Sequence, residues 1–211
     1  MKKENIKIWF KLYCEYEECL TPSELKIKNT LNKVRAKEYS FSRTFLRYSL
    51  SDYLKKPPLE INISALPGKM PVLLKDNGYI SLSHTKDAIL IVWSSSKVGV
   101  DLERFDRKIT SKEIVKRFFS EKDFESFNKI NEEIDNKFIK IWVIKEAISK
   151  YTNNSLWDVL NNWEWDIGSK IAINRIDKNN TLKVFQYRFK DWELGIACDN
   201  LTSNWPIICI N

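Results

Sequence analysis

Ile6, Ile8, Phe10 and Leu12 alternate with Lys7, Trp9 and Lys11, a period of two that predicts a strand with one buried face. Thr21-Pro22-Ser23-Glu24 then supplies a hydroxyl cap, a proline at the first helical position and an acid three residues after the cap, which together start a helix. From about Ser42 to Leu54 the apolar residues Phe45, Leu46, Leu50, Tyr53 and Leu54 recur near helical spacing, until Pro57 and Pro58 end the run. Ile80–His84, Ala88–Trp93 and Val98–Glu103 read as three strands of one antiparallel meander, the first two joined near Lys86-Asp87. Helices are predicted over Ser111–Phe119, from Ser120 to about Ile130, and from about Asp135 to Tyr151. Short strands follow, near 163–167, 171–176, 182–189, 193–198 and 207–210. Helices segregated from antiparallel strands make the fold class α+β.

With 211 residues, 43% of them hydrophobic, the chain can bury an ordinary core. Thirty-five Lys and Arg against 28 Asp and Glu give a formal charge of +7, which favours anionic partners without choosing among them. Only 5 glycines occur, and no Walker A or dinucleotide fingerprint is present. Cys14, Cys19, Cys198 and Cys209 show no C-x-x-C spacing, which fits reduced thiols and a cytoplasmic setting. The single histidine, His84, removes any polyhistidine metal site and leaves carboxylates as ligands for a hard cation. No apolar run approaches the ~20 residues of a membrane span, so a soluble protein is expected.

Three segments can carry chemistry. In Val98-Gly99-Val100-Asp101-Leu102-Glu103, strand alternation puts Asp101 and Glu103 on one face, their Cα atoms about 6.5 to 7 Å apart. That pair is either a solvated strand edge or two oxygen ligands for one Mg²⁺. In Trp142-Val143-Ile144-Lys145-Glu146-Ala147-Ile148-Ser149-Lys150, Glu146 and Lys150 lie one helical turn apart. They are either a surface ion pair or an acid for the same metal with a cation for a bound phosphate. Ser83-His84-Thr85 offers two hydroxyls and an imidazole to phosphate oxygens, or a structural histidine at a strand end. Gly68-Lys69-Met70-Pro71 sets another cation at a turn.

In this order the motifs resemble those of the Sfp-type 4'-phosphopantetheinyl transferases: a Gly-Lys-Pro turn, a Ser-His-Ser/Thr segment, Val/Ile-Gly-Val/Ile-Asp-x-Glu, and Trp-x-x-Lys-Glu-Ala/Ser-x-x-Lys. Met70 interrupts the first motif, and Ser81 stands where an asparagine often precedes Ser-His. The resemblance implies two pseudosymmetric α+β halves with the active site in the cleft between them, residues 1–100 carrying coenzyme A-binding segments and 101–211 the acids and the catalytic helix. It implies Mg²⁺ held by Asp101, Glu103 and Glu146. Glu146 and Lys150 are implied as catalytic, and Arg43, Thr44, Lys69, Ser83, His84, Thr85 and Lys150 as coenzyme A contacts. The implied reaction moves phosphopantetheine from coenzyme A, the co-substrate, to a serine of an apo acyl or peptidyl carrier protein, releasing 3',5'-ADP. A monomer without nucleic-acid or membrane partners is expected. Two competing readings are a basic module stacking its 8 Trp on nucleic acid, and a non-catalytic coenzyme A or carrier binder. The first accounts for the charge but leaves Asp101, Glu103 and Glu146 to repel a polyanion.

Overall fold

The computed structural model describes residues 6–64, 70–74, 78–106, 134–166, 168–199 and 207–209. Helices and two main sheets confirm the α+β class. The described residues divide into two compact units, the first lying before Ser96 together with the strand at 207–209, the second running from Ser96 to 199.

The first unit contains β1 (Ile6–Leu12), α1 (Pro22–Thr30), α2 (Lys33–Leu54), β2 (Ile63–Ser64), β3 (Val72–Leu73), β4 (Tyr79–His84), β5 (Ala88–Ser94) and β11 (Ile207–Cys209). Its four-stranded sheet runs β11-β1-β5-β4, with β1 and β11 parallel and the other pairs antiparallel. Trp9 is buried along with Ile8 and Phe10, so β1 is covered on both faces rather than the one that its alternation predicts.

The capping box of α1 is present: the Thr21 hydroxyl accepts from the Glu24 amide, and the Glu24 carboxylate accepts from Thr21 N–H at 2.9 Å. Helix α2 starts nine residues before the expected Ser42 (42 − 33), where the Asn32 side chain accepts from Arg35 N–H at 3.0 Å. Phe41, Phe45, Leu46 and Leu50 of α2 pack with Trp9, Ile80, Ile89, Ile91 and Trp93 of the sheet. Each such side chain contributes about 1.5–3 kcal/mol by leaving water.

One pairing corrects the sequence reading. The strands at 80–84 and 88–93 do form a hairpin, but the strand at 98–103 is not their third member. Both edges of β5 are already taken, by β1 and by β4. β6 (Val98–Arg104) instead pairs antiparallel with β10 (Trp192–Cys198) in a sheet of order β6-β10-β9-β8-β7. The remaining strands are β7 (Trp163–Trp165), β8 (Ile171–Asn174) and β9 (Thr181–Phe189).

Two helices complete the second unit, α3 (Ile134–Thr152) and the short α4 (Leu156–Asn162), which is capped by Ser155 and has no counterpart among the predicted elements. The helices predicted over 111–119 and 120–130 lie outside the described residues. Phe138, Ile139, Ile141, Val143, Ile144, Ala147 and Ile148 are all buried, so α3 is apolar around most of its circumference, as befits a central helix. Two glycines seat it. A Cβ at Gly99 would overlap the backbone of Ala147 and Tyr151, and a Cβ at Gly195 would overlap the backbone of Val143. The helix therefore rests on bare strand backbone, closer than side chains would allow. No helix among the described residues is long and apolar enough to cross a membrane.

Candidate functional site

Asp101 and Glu103 project from β6 on the same face as Gly99, the face on which α3 lies. Register pairs Gly195 with Asp101 and Glu193 with Glu103. The close seat at Gly99 and Gly195 lowers α3 until its polar strip meets these acids: Lys150 Nζ donates to Asp101 Oδ1 at 2.7 Å. Glu146 and Lys150, which the sequence left as a possible surface pair, are thus both half-buried beside the β6 carboxylates.

Charge crowding follows. Burial pushes the Glu146 carboxyl up to about 7, the negative charges of Asp101 and Glu103 push it in the same direction, and Lys150 opposes them. A carboxyl titrating near neutrality among two other acids and one lysine marks a site rich in negative charge among the described residues. Hard oxygen donors in that state suit a divalent cation such as Mg²⁺. Among the described residues, no three His, Cys, Asp or Glu side chains are drawn tightly enough to form a ready-made metal cage.

The structure adds residues that the sequence reading did not single out. Glu193 is buried on β10, and its Oε2 accepts from Gln186 Nε2 at 2.5 Å. It makes a third acid, beside Asp101 and Glu103, on the helix-facing side of the sheet. Its signal was a charged residue inside an otherwise apolar strand, next to an isolated glycine two positions on.

The remaining predicted residues belong to the first unit. Arg43 is buried in α2, its guanidinium stands 5.1 Å from the Tyr39 ring centroid, and its Nε and Nη1 make no hydrogen bond among the described residues. Buried cationic donors in that condition are suited to an incoming anion. Thr44 is fully buried, and its hydroxyl accepts from Cys19 N–H at 3.0 Å. Ser83 is buried and His84 exposed at the end of β4. Thr85 Oγ1 accepts from Asp87 N–H at 3.3 Å and Ala88 N–H at 3.1 Å, closing the turn into β5. Both threonine hydroxyls are therefore engaged by the fold itself. Lys69 lies outside the described residues.

A sequence profile of the 4'-phosphopantetheinyl transferase superfamily matches residues 97–202, which take in β6, α3 and the acids on both. The 4'-phosphopantetheinyl transferase HetI from Nostoc sp. (strain PCC 7120) is 26% identical over 126 residues, 57% of this chain and 53% of the relative. The chain thus spans about half the length of the curated relative it matches. Half of the chain fits the profile, and the fitted half is the one that gathers Asp101, Glu103, Glu146 and Lys150, so the protein belongs to the 4'-phosphopantetheinyl transferase superfamily.

Proposed function

We propose that the protein transfers the 4'-phosphopantetheine arm of coenzyme A to a serine hydroxyl of an apo acyl or peptidyl carrier protein. The observation that carries this reading is the convergence of Asp101, Glu103 and Glu146 beside Lys150, with the Glu146 carboxyl raised to about 7. HetI, a relative of the matched half, is itself named a 4'-phosphopantetheinyl transferase.

Asp101, Glu103 and Glu146 would hold Mg²⁺. When bound, the ion supplies charge neutralisation at the pyrophosphate. In the reaction the serine oxygen forms a bond to the β-phosphorus of coenzyme A, and the bond from that phosphorus to the bridging oxygen breaks. The electron pair leaves with 3',5'-ADP, and a carboxylate of the acid set takes the serine proton. Lys150, which pairs with Asp101, offsets the negative charge that grows on the leaving group. Arg43, Ser83, His84 and Lys69 hold the adenosine phosphates, His84 as a donor. The orphaned Nε and Nη1 of buried Arg43 support that assignment.

The test incubates the full chain with Mg²⁺, coenzyme A and a panel of apo carrier proteins, and scores each intact carrier mass for the added arm. Asp101→Ala is expected to lower the rate about 10²- to 10³-fold, the loss seen when one charge-stabilising group is removed. Wild-type rate and metal dependence in that variant would overturn the assignment of the acids.

A further inference from the structure

Lys145 is the neighbour of Glu146 in the chain. It is fully buried, with no exposed surface. Its Nζ donates to the backbone carbonyl of Trp163, the residue that ends α4 and begins β7. An amine at that position meets the partial negative charge of the α4 carbonyl end.

Apart from Lys137 and the Lys150–Asp101 pair, the buried surface of α3 is largely apolar. Isoleucine, valine, alanine and phenylalanine packing holds a helix on a sheet but discriminates weakly between small rotations about its own axis. Buried polar contacts discriminate strongly, because a misplaced donor loses its partner in a medium with no water to replace it. Two features of α3 with that directional quality lie outside the acid cluster. On one side, Gly99 and Gly195 accept its backbone. About 100° around the helix from Glu146, Lys145 reaches the Trp163 carbonyl.

We infer that Lys145 is a positioning residue: its bond to the Trp163 carbonyl sets the rotation of α3 and thereby holds Glu146 and Lys150 against Asp101. It touches neither substrate nor metal. This inference rests on the proposed transfer reaction only for its kinetic readout. The structural consequence stands apart from that reaction: releasing Lys145 loosens the Glu146–Lys150 turn while the sheet beneath stays intact.

The experiment compares the full chain with Lys145→Met, Lys145→Gln, Lys150→Ala and the Lys145→Met/Lys150→Ala double variant. Thermal unfolding, coenzyme A affinity, steady-state transfer to an apo carrier protein at saturating Mg²⁺, and amide hydrogen exchange are measured on each. Lys145→Met is expected to unfold cooperatively, to bind coenzyme A within about twofold of the parent, and to lose about tenfold in kcat with KM little changed. Lys145→Gln, which keeps an N–H for the carbonyl, should recover part of that loss. In the Lys150→Ala background the same methionine change should cost less than about threefold, because the contact it maintained is already gone. Amides from Glu146 to Lys150 should exchange faster in Lys145→Met while those of β9 and β10 keep their protection.

Unchanged kcat in folded Lys145→Met, or a full tenfold loss persisting beside Lys150→Ala, would overturn the inference. If Lys145→Met does not fold, Lys145→Gln carries the same comparisons, and exchange in its Glu146–Lys150 turn identical to the parent's overturns it equally. Failure of the parent chain to modify any carrier would instead remove the proposed reaction, leaving the exchange comparison to decide the role of Lys145.

Discussion

Helices α2 and α3 each lie on a sheet and bury cationic side chains, but they treat charge in opposite ways. In α2, Arg47 is held completely: Nε donates to Glu24 Oε2 at 2.9 Å, and Nη1 to the carbonyls of Pro58 at 2.9 Å and Ile61 at 3.0 Å. Burial alone would raise the Glu24 carboxyl, but the hydrogen bonds from Arg47 and Thr21 outweigh it and hold the group below its ordinary value. One turn earlier, Arg43 has Nε and Nη1 left over. Among the described residues of α3 the surplus has the other sign, since Glu146 faces Asp101 and Glu103 while Lys150 pairs with Asp101. A satisfied charge network braces a fold, whereas an unbalanced one waits for something to bind. The two helices thus offer opposite surpluses, one suited to anionic oxygen and one to a cation.

The sharpest way to break this contrast is to exchange the two arginines of α2 separately. Arg47→Met strands buried Glu24, and by breaking a buried pair it should cost about 3–5 kcal/mol in urea denaturation. Arg43→Met removes a guanidinium whose Nε and Nη1 have no hydrogen-bond partner among the described residues. Its stability should stay close to the parent's, while coenzyme A affinity by calorimetry falls. Equal destabilisation by both changes would erase the distinction.

The acidic surplus of α3 makes a second prediction, on protein freed of divalent ions. Glu146 binds its proton more tightly folded, near 7, than unfolded, near the ordinary 4.5. Between those values the folded state holds more protons, so stability must fall as pH rises through that window. The drop can reach about 3 kcal/mol, and Glu146→Gln should flatten it. Denaturation curves from pH 4.5 to 8 measure the slope; an unaltered slope in the glutamine variant would place the crowding elsewhere.

The smallest effect belongs to Thr85. Because its hydroxyl closes the β4–β5 turn, Thr85→Val should cost about 1 kcal/mol and leave coenzyme A affinity unchanged. Loss of affinity with unchanged stability would return Thr85 to the ligand contacts.

What could be read from the chain beforehand followed from local pattern. The alternation over 98–103 put Asp101 and Glu103 on one face, and the i,i+4 spacing of Glu146 and Lys150 put both on one strip, as the structure has them. Which strand lies beside β6 was not legible. β5 is buried on both faces and so carries no alternation to mark its neighbours, and the true partner, β10, is about ninety residues away in the chain. The early start of α2 was signalled only by Asn32, because the residues after it are good helix formers without an apolar repeat. Gly195 depends on a contact with α3, about fifty residues earlier, and Lys145 on the carbonyl of Trp163 beyond the following helix, and a single residue letter carries no record of either.

The pairing of β1 with β11 also imposes an order of events on synthesis. Ile8 meets Ile207, residues 199 positions apart (207 − 8), so the first sheet lacks one edge until the segment at 207–209 has left the ribosome. The strands of the second sheet all fall between Val98 and Cys198 and can pair as soon as that stretch emerges. β1 is therefore completed only after the whole second sheet has been made, and until then it exposes an edge that other chains can bind.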